Sequence, residues 1–194
     1  RAESLDEQLR FFMRDAADVA LLPDAEVLPY DHFSPHQDLI SARLRLLRDL
    51  EQGGVRALIT ASSNLLTRLP PREYLAAYAV RIAKNDRLSP EVFQQRLERA
   101  GYRRAGQVTG RGEYAVRGSI LDFFAMGCEA PARIDFLDDV VDSIRLFDPD
   151  TQVSSSSVEA IDTLPAREFP SDGEAVKLFR QRYRRRFEGN PSQS

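Results

Sequence analysis

Few residues in this 194-residue chain are of types that perform chemistry, since it has two histidines and one cysteine. His32 and His36 stand four residues apart beside Asp31 and Asp38, a spacing that would hold a metal ion if a third ligand completed it. Neither an HExxH pattern nor partner cysteines accompany them, so exposed or capping imidazoles are expected. Cys128 has no second thiol to pair with and no histidine near it in sequence, so it reads as a bystander rather than a nucleophile. Asp138, Asp139 and Asp142, and again Asp148 and Asp150, offer carboxylates in pairs. Both clusters fall where turns are needed, and Asp makes turns by accepting hydrogen bonds from nearby amides. Neither GxxxxGK[ST] nor GxGxxG occurs, and the glycines at 110–112 and 117–119 lie between strand-like runs rather than ahead of a helix. A phosphate cradle needs the latter setting. No catalytic, metal-binding or cofactor-binding residue is expected.

Two features remain that could bind. RQRYRRRF (180–187) combines cations with aromatics, which can contact phosphates and stack on bases. Phe179, Tyr183 and Phe187 recur every four residues as a packing stripe, so a solvated basic helix end is the favoured reading. The other feature is RGEYAVRGSILDFFAMG (111–127) followed by RIDFLDDVVDSIRLFDPDTQ (133–152). Apolar and polar residues alternate there, which predicts a small antiparallel sheet with one buried face. Ile134 and Phe136 point inward, and Ile144 and Leu146 join them only if the loop at Asp138–Val140 is odd-numbered. The outer face then carries Arg133, Asp135, Leu137, Val141, Ser143 and Arg145, with Glu113, Ala115 and Arg117 on the neighbouring strand. An exposed leucine among arginines and acids suits a polar protein interface as well as a plain solvated face. Truncating Arg117 or Arg133 on such a face should leave the fold intact.

These residues need a scaffold. At 42% hydrophobic and 29% charged the composition is that of a globular domain. No apolar run approaches the roughly 20 residues of a membrane span. The start at Arg1 suggests a fragment of a longer protein, and the solitary cysteine suits a reducing cytoplasm. A net charge of −3 argues against a domain-wide basic field.

Residues 3–14 predict a helix, and 26–29 a short strand. SPHQDLISARLRLLRDLEQGG (34–54) predicts a helix with Ser34 as N-cap, Pro35 in its first position, Gln37 completing the capping box and Gly53-Gly54 ending it. The apolar run 55–62 predicts a strand covered on both faces. A short helix, SNLLTRL, then runs into Pro70-Pro71. Further on come a strand over 77–84 and a helix over 89–101, capped by Ser89 and burying Val92, Phe93, Leu97 and Ala100. Short strands fill 102–164, and a helix over 169–189 has Ser171 and Glu174 as its capping box. The fold class is α/β plus α+β. Residues 1–75 read as a partial α/β domain with a parallel sheet, 76–164 as an α+β domain on a mostly antiparallel sheet, and 165–194 as a return segment whose helix packs on the first domain.

LPYDHFSPHQDLISARLRLLRDL (28–50), GEYAVRGSILDFF (112–124) and RIDFLDDVVDSIRLFDPDTQ closely resemble the N-terminal region of bacterial transcription-repair coupling factors. The likeness runs over nearly the whole chain. It implies a truncated, degenerate helicase-like domain of the P-loop type, interrupted by a small α+β domain that docks UvrA. The family's docking residues fall on Arg117 of the EYxxRG motif, on Arg133 and on Asp135 and Leu137, although the family often has an aromatic residue at the position of Leu137. The implied role is recruitment of UvrA to stalled RNA polymerase in nucleotide excision repair. The parent protein would be an ATP-dependent DNA translocase whose motor domains, holding ATP and Mg, lie outside this chain; RNA polymerase and duplex DNA would be its other partners. The fragment itself would be no enzyme, would carry no cofactor, and would be cytoplasmic without membrane contact. Alternatives are a fragment of the related excision-repair subunit UvrB, or a nucleic-acid-binding domain using 180–187. UvrB inserts a Tyr-rich hairpin that this chain lacks between Tyr30 and Gln37.

Overall fold

A computed structural model of the chain describes residues 2–12, 19–24, 36–170 and 173–186. The first helix, α1 (Ala2–Phe12), forms where the periodicity predicts it, but it buries no side chain and leaves Leu5, Phe11 and Phe12 exposed. A strand absent from the sequence prediction follows, β1 (Val19–Leu22). The expected strand at 26–29 lies outside the described residues, as do Ser34 and Pro35. Helix α2 (Gln37–Glu51) is capped by His36 rather than by Ser34. His36 holds extended backbone (φ −60, ψ 142), and its Nδ1 accepts from the Asp38 amide at 3.3 Å. The imidazole nitrogen thus does what a hydroxyl would have done. Gly53, at φ 75, ends the helix in the left-handed region that favours glycine.

Strand β2 (Ala57–Thr60) runs parallel to β1, and with α2 between them the three make one β-α-β crossover. Among the described residues that sheet has two strands, and the expected cover on both faces is not found there: Ile59 is buried but Leu58 is 44% exposed. A 3₁₀ turn, Ser62–Leu66, leads on to α3 (Arg72–Tyr78). The sequence reading missed α3 and placed its last residues in a strand, taking Pro70-Pro71 as a stop. Pro71 instead stands at the N-cap with φ −61, a value pre-set for starting a helix. Strand β3 is therefore shorter, Val80–Ala83.

Helix α4 (Pro90–Arg99) starts as expected, with the Ser89 hydroxyl accepting from the Val92 amide at 3.2 Å. Phe93, Leu97 and Ala100 are buried, whereas Val92 is 43% exposed because it lies in the first turn, off the sheet. Ser89→Ala is expected to cost about 0.5–2 kcal/mol, read as a lowered urea midpoint at unchanged slope.

The main sheet follows in chain order: β4 (Arg103–Arg104), β5 (Glu113–Arg117), β6 (Ile120–Phe123), β7 (Ala132–Leu137), β8 (Val140–Phe147) and β9 (Ser154–Ser157). Only β4 and β5 pair in parallel; the rest is an antiparallel meander. β10 (Ala160–Thr163) leaves this sheet to pair with β3. One core spans these parts: Ile40 and Leu44 of α2, Phe93 and Leu97 of α4, and Tyr114, Leu121, Phe123, Ile134 and Ile144 of the sheet. Phe93 meets Phe123 edge to face with centroids 5.3 Å apart. Helix α5 (Gly173–Arg186) buries no side chain, and Phe179 and Tyr183, expected as its packing stripe, are exposed.

The β7–β8 register corrects the sequence reading. Leu137 pairs with Val140 across a two-residue turn, Asp138-Asp139, with Asp138 at φ 53. An even-numbered turn would have put Ile144 on the wrong face. A bulge restores it: Phe136 pairs with Val141 and Asp135 with Ser143, so Asp142 is left over. Val141, assigned to the outer face, is therefore fully buried. Ala115 is buried too, because Val108, Phe124 and Phe147 form a second cluster with it on that outer side.

Candidate functional site

The outer face of the main sheet gathers all four residues singled out from the sequence. Two-residue turns set their order: Gly118-Ser119 joins β5 to β6, and Gly118 takes φ 63 there. The glycine of the RGS triplet thus makes a hairpin, not a phosphate cradle. Arg117 pairs across strands with Ile120, Ile120 with Asp135, and Asp135 with Ser143. In the next row Ala115 pairs with Asp122, Asp122 with Arg133, and Arg133 with Arg145.

Arg117 is exposed, its Nη2 reaching, among the described residues, the Gly106 carbonyl at 3.5 Å. Leu137 is 68% exposed at the turn end of β7. Arg133 is different, and its expected free exposure is corrected. Its Nε and Nη2 donate to the two oxygens of Asp122 at 2.7 and 2.9 Å, a bidentate fork. The Asp122 side chain is 2% exposed and that of Arg133 17%. The guanidinium lies 4.9 Å from the centroid of Phe147, and its pKa is raised chiefly by the bond to Asp122. Asp135 accepts on one oxygen from Ser143 Oγ at 2.8 Å and from Arg145 Nη2 at 2.6 Å.

Asp122 was missed from the sequence. Part of its signal was available in the ILDF run, where alternation puts Leu121 and Phe123 inward and Asp122 outward, but the β6–β7 register is what sets it beside Arg133. Loops close over the same edge. Gln152, at φ 61, donates its side-chain amide to Val108 O at 3.0 Å and to Pro149 O at 2.7 Å. Asp148 accepts from the amides of Asp150 and Thr151 at 3.0 and 2.7 Å, which holds its carboxyl below the usual range. The paired aspartates are turn formers, as their positions predicted. Burial pushes the Cys128 thiol up, against nucleophilic use. Among the described residues no group of His, Cys, Asp or Glu could hold a metal ion; His32 lies outside them.

Glu113 anchors the 109–112 loop beside this face. It accepts from the amides of Thr109 and Gly110 at 3.1 and 3.0 Å and from Arg103 Nη2 at 2.7 Å. Burial alone would raise its pKa, but those three donors together outweigh it and lower it. A lowered folded-state value contributes stability above the unfolded value of about 4.3, lost as pH falls through the folded value. Glu113→Gln should therefore melt below the parent at pH 7, with the gap narrowing as pH falls below about 4.3 in a series of melts. An undiminished gap at pH 3 would contradict the assignment.

The face lies within residues 80–169, which match the family described as the UvrB interaction domain. The chain is 48% identical over 167 residues to the transcription-repair-coupling factor of Escherichia coli K12, covering 86% of this chain and 14% of that protein. The Haemophilus influenzae protein of the same name is 47% identical over 170 residues, with 88% and 15% covered. That of Myxococcus xanthus is 35% identical over 173 residues, with 86% and 14% covered. The chain thus spans a small part of the length of the curated relatives it matches.

Proposed function

This chain belongs to the family of transcription-repair-coupling factors, and we propose that it is their UvrA-recruiting module. The observation that carries the reading is the outer sheet face inside the matched domain. Arg117 and Leu137 stand exposed at one end of it, and Arg133 and Asp135 are held beside them by fixed partners. An apolar side chain bordered by oriented charges is what a polar protein interface needs at its centre. Such a face binds a partner and performs no bond chemistry, so the chain acts by recruitment.

The β1-α2-β2 crossover supports the further reading that residues 1–75 are part of a degenerate helicase-like domain. In this reading ATP and Mg belong to motor domains elsewhere in the parent protein, an ATP-dependent DNA translocase that also engages RNA polymerase and duplex DNA in the cytoplasm. No described helix is long and apolar enough to cross a membrane.

The test is calorimetric titration of purified UvrA with this chain. A saturable heat that Arg117→Ala removes supports the reading; no heat from the unmodified chain would refute it. One observation favours a second reading: α5 is exposed along its length and ends in Arg184, Arg185 and Arg186. Retention of duplex DNA by the chain, lost when these three become Ala, would carry that alternative.

A further inference from the structure

The register of β7 and β8 sets Arg133 directly opposite Arg145. Like charges in that position repel, and a sheet selected for stability alone would not keep them. Each is neutralised by an acid on a neighbouring strand or row: Asp122 takes Arg133, and Asp135 takes Arg145. Opposite charges therefore adjoin along the path Asp122, Arg133, Asp135, Arg145, although Arg133 and Arg145 face each other across the strands. Local rules broken with such compensation are expected where a protein functions.

The two pairs differ in one respect. Asp122 uses both oxygens on Arg133. On Asp135, Ser143 and Arg145 both donate to Oδ2, which fixes the carboxylate's plane, while among the described residues no donor takes Oδ1. The Arg145 side chain is 40% exposed, so this is not a pair that holds the core. Among the described residues its Nε has no hydrogen-bond partner, so the guanidinium is committed through Nη2 to Asp135.

We propose that Arg145 is a positioning residue for UvrA docking: through Oδ2 it aims the free oxygen of Asp135 at a donor on the partner. This rests on the docking reading above. Arg145 shapes the acceptor and does not itself meet UvrA. Pre-setting an acceptor in this way raises affinity because the side chain need not be ordered on binding.

The test is a double-mutant cycle read by calorimetry with UvrA, using the unmodified chain, Arg145→Gln, Asp135→Asn and both together. Arg145→Lys is added as the conservative variant, since one ammonium can still reach Oδ2. Melting temperatures are expected to stay close to the parent value, the pair being partly exposed. Each single variant is expected to weaken binding about tenfold, the double no further than the weaker single, and Arg145→Lys to recover part of the loss. Losses that multiply in the double would show Arg145 acting independently of Asp135 and would overturn the proposal. So would unchanged affinity in Arg145→Gln. No binding by the unmodified chain would instead sink the docking reading itself, so the two failures are distinguishable.

Discussion

Arg133→Ala is expected to destabilise the chain by about 3–5 kcal/mol, a large fraction of the stability of any domain of this size. The sequence alone placed Arg133 on a solvated face, where truncation would cost next to nothing. In the structure Arg133 is, among the described residues, the ion-pair partner of Asp122, whose side chain is 2% exposed. Removing the guanidinium strands a buried carboxylate and also takes away the contact with Phe147. For a chain of this length the loss should appear as a drop in melting temperature on the order of 10 °C. Pairing Arg133→Met with Asp122→Leu should recover most of it, since an apolar pair of similar size replaces a buried ion pair at little net cost. A single Arg133→Ala variant that melts with the parent would show that Asp122 is satisfied in some other way. Any loss of UvrA binding in Arg133→Ala must therefore be read at a temperature where the variant is folded.

Arg117→Ala should do the reverse. Its side chain is exposed and makes one long contact to Gly106 O, so stability should change by no more than about 0.5 kcal/mol. At a docked interface the same truncation removes a charge-assisted contact and leaves the partner's acceptor unpaired. The expected loss is about 2–5 kcal/mol, at least about 30-fold in affinity. Paired melts and titrations of Arg117→Ala and Arg133→Ala thus separate the two arginines, one acting in binding alone and one in both. Undiminished UvrA affinity in Arg117→Ala would remove the exposed end of the sheet from the interface.

The sequence by itself determined the elements with strong local signals. Alternation in RIDFL set β7 with Ile134 and Phe136 inward and Arg133, Asp135 and Leu137 outward, because side chains of a strand point to opposite faces in turn. Ser89 and Pro90 set the start of α4, because a side-chain acceptor and a pre-set φ satisfy the first turn locally. The words that carry the family likeness, and with them the four face residues, were equally legible.

Tertiary structure decided what each outward side chain meets. Alternation says which face a residue takes but not what reaches it from another strand or loop. Asp122 comes to Arg133 from β6, Phe147 from the far end of β8, and Val108 from a loop that turns part of an outer face into a second core. Val141 went inside because the two-residue turn pairs it with Phe136, and a bulge at Asp142 then returned Ile144 to the same face. That event depends on fitting two strands over one core, which neither strand encodes alone. For the same reason the stripe on α5 predicted burial that the structure does not show. A periodic apolar face states a helix's capacity to pack, and only a neighbouring surface can use it.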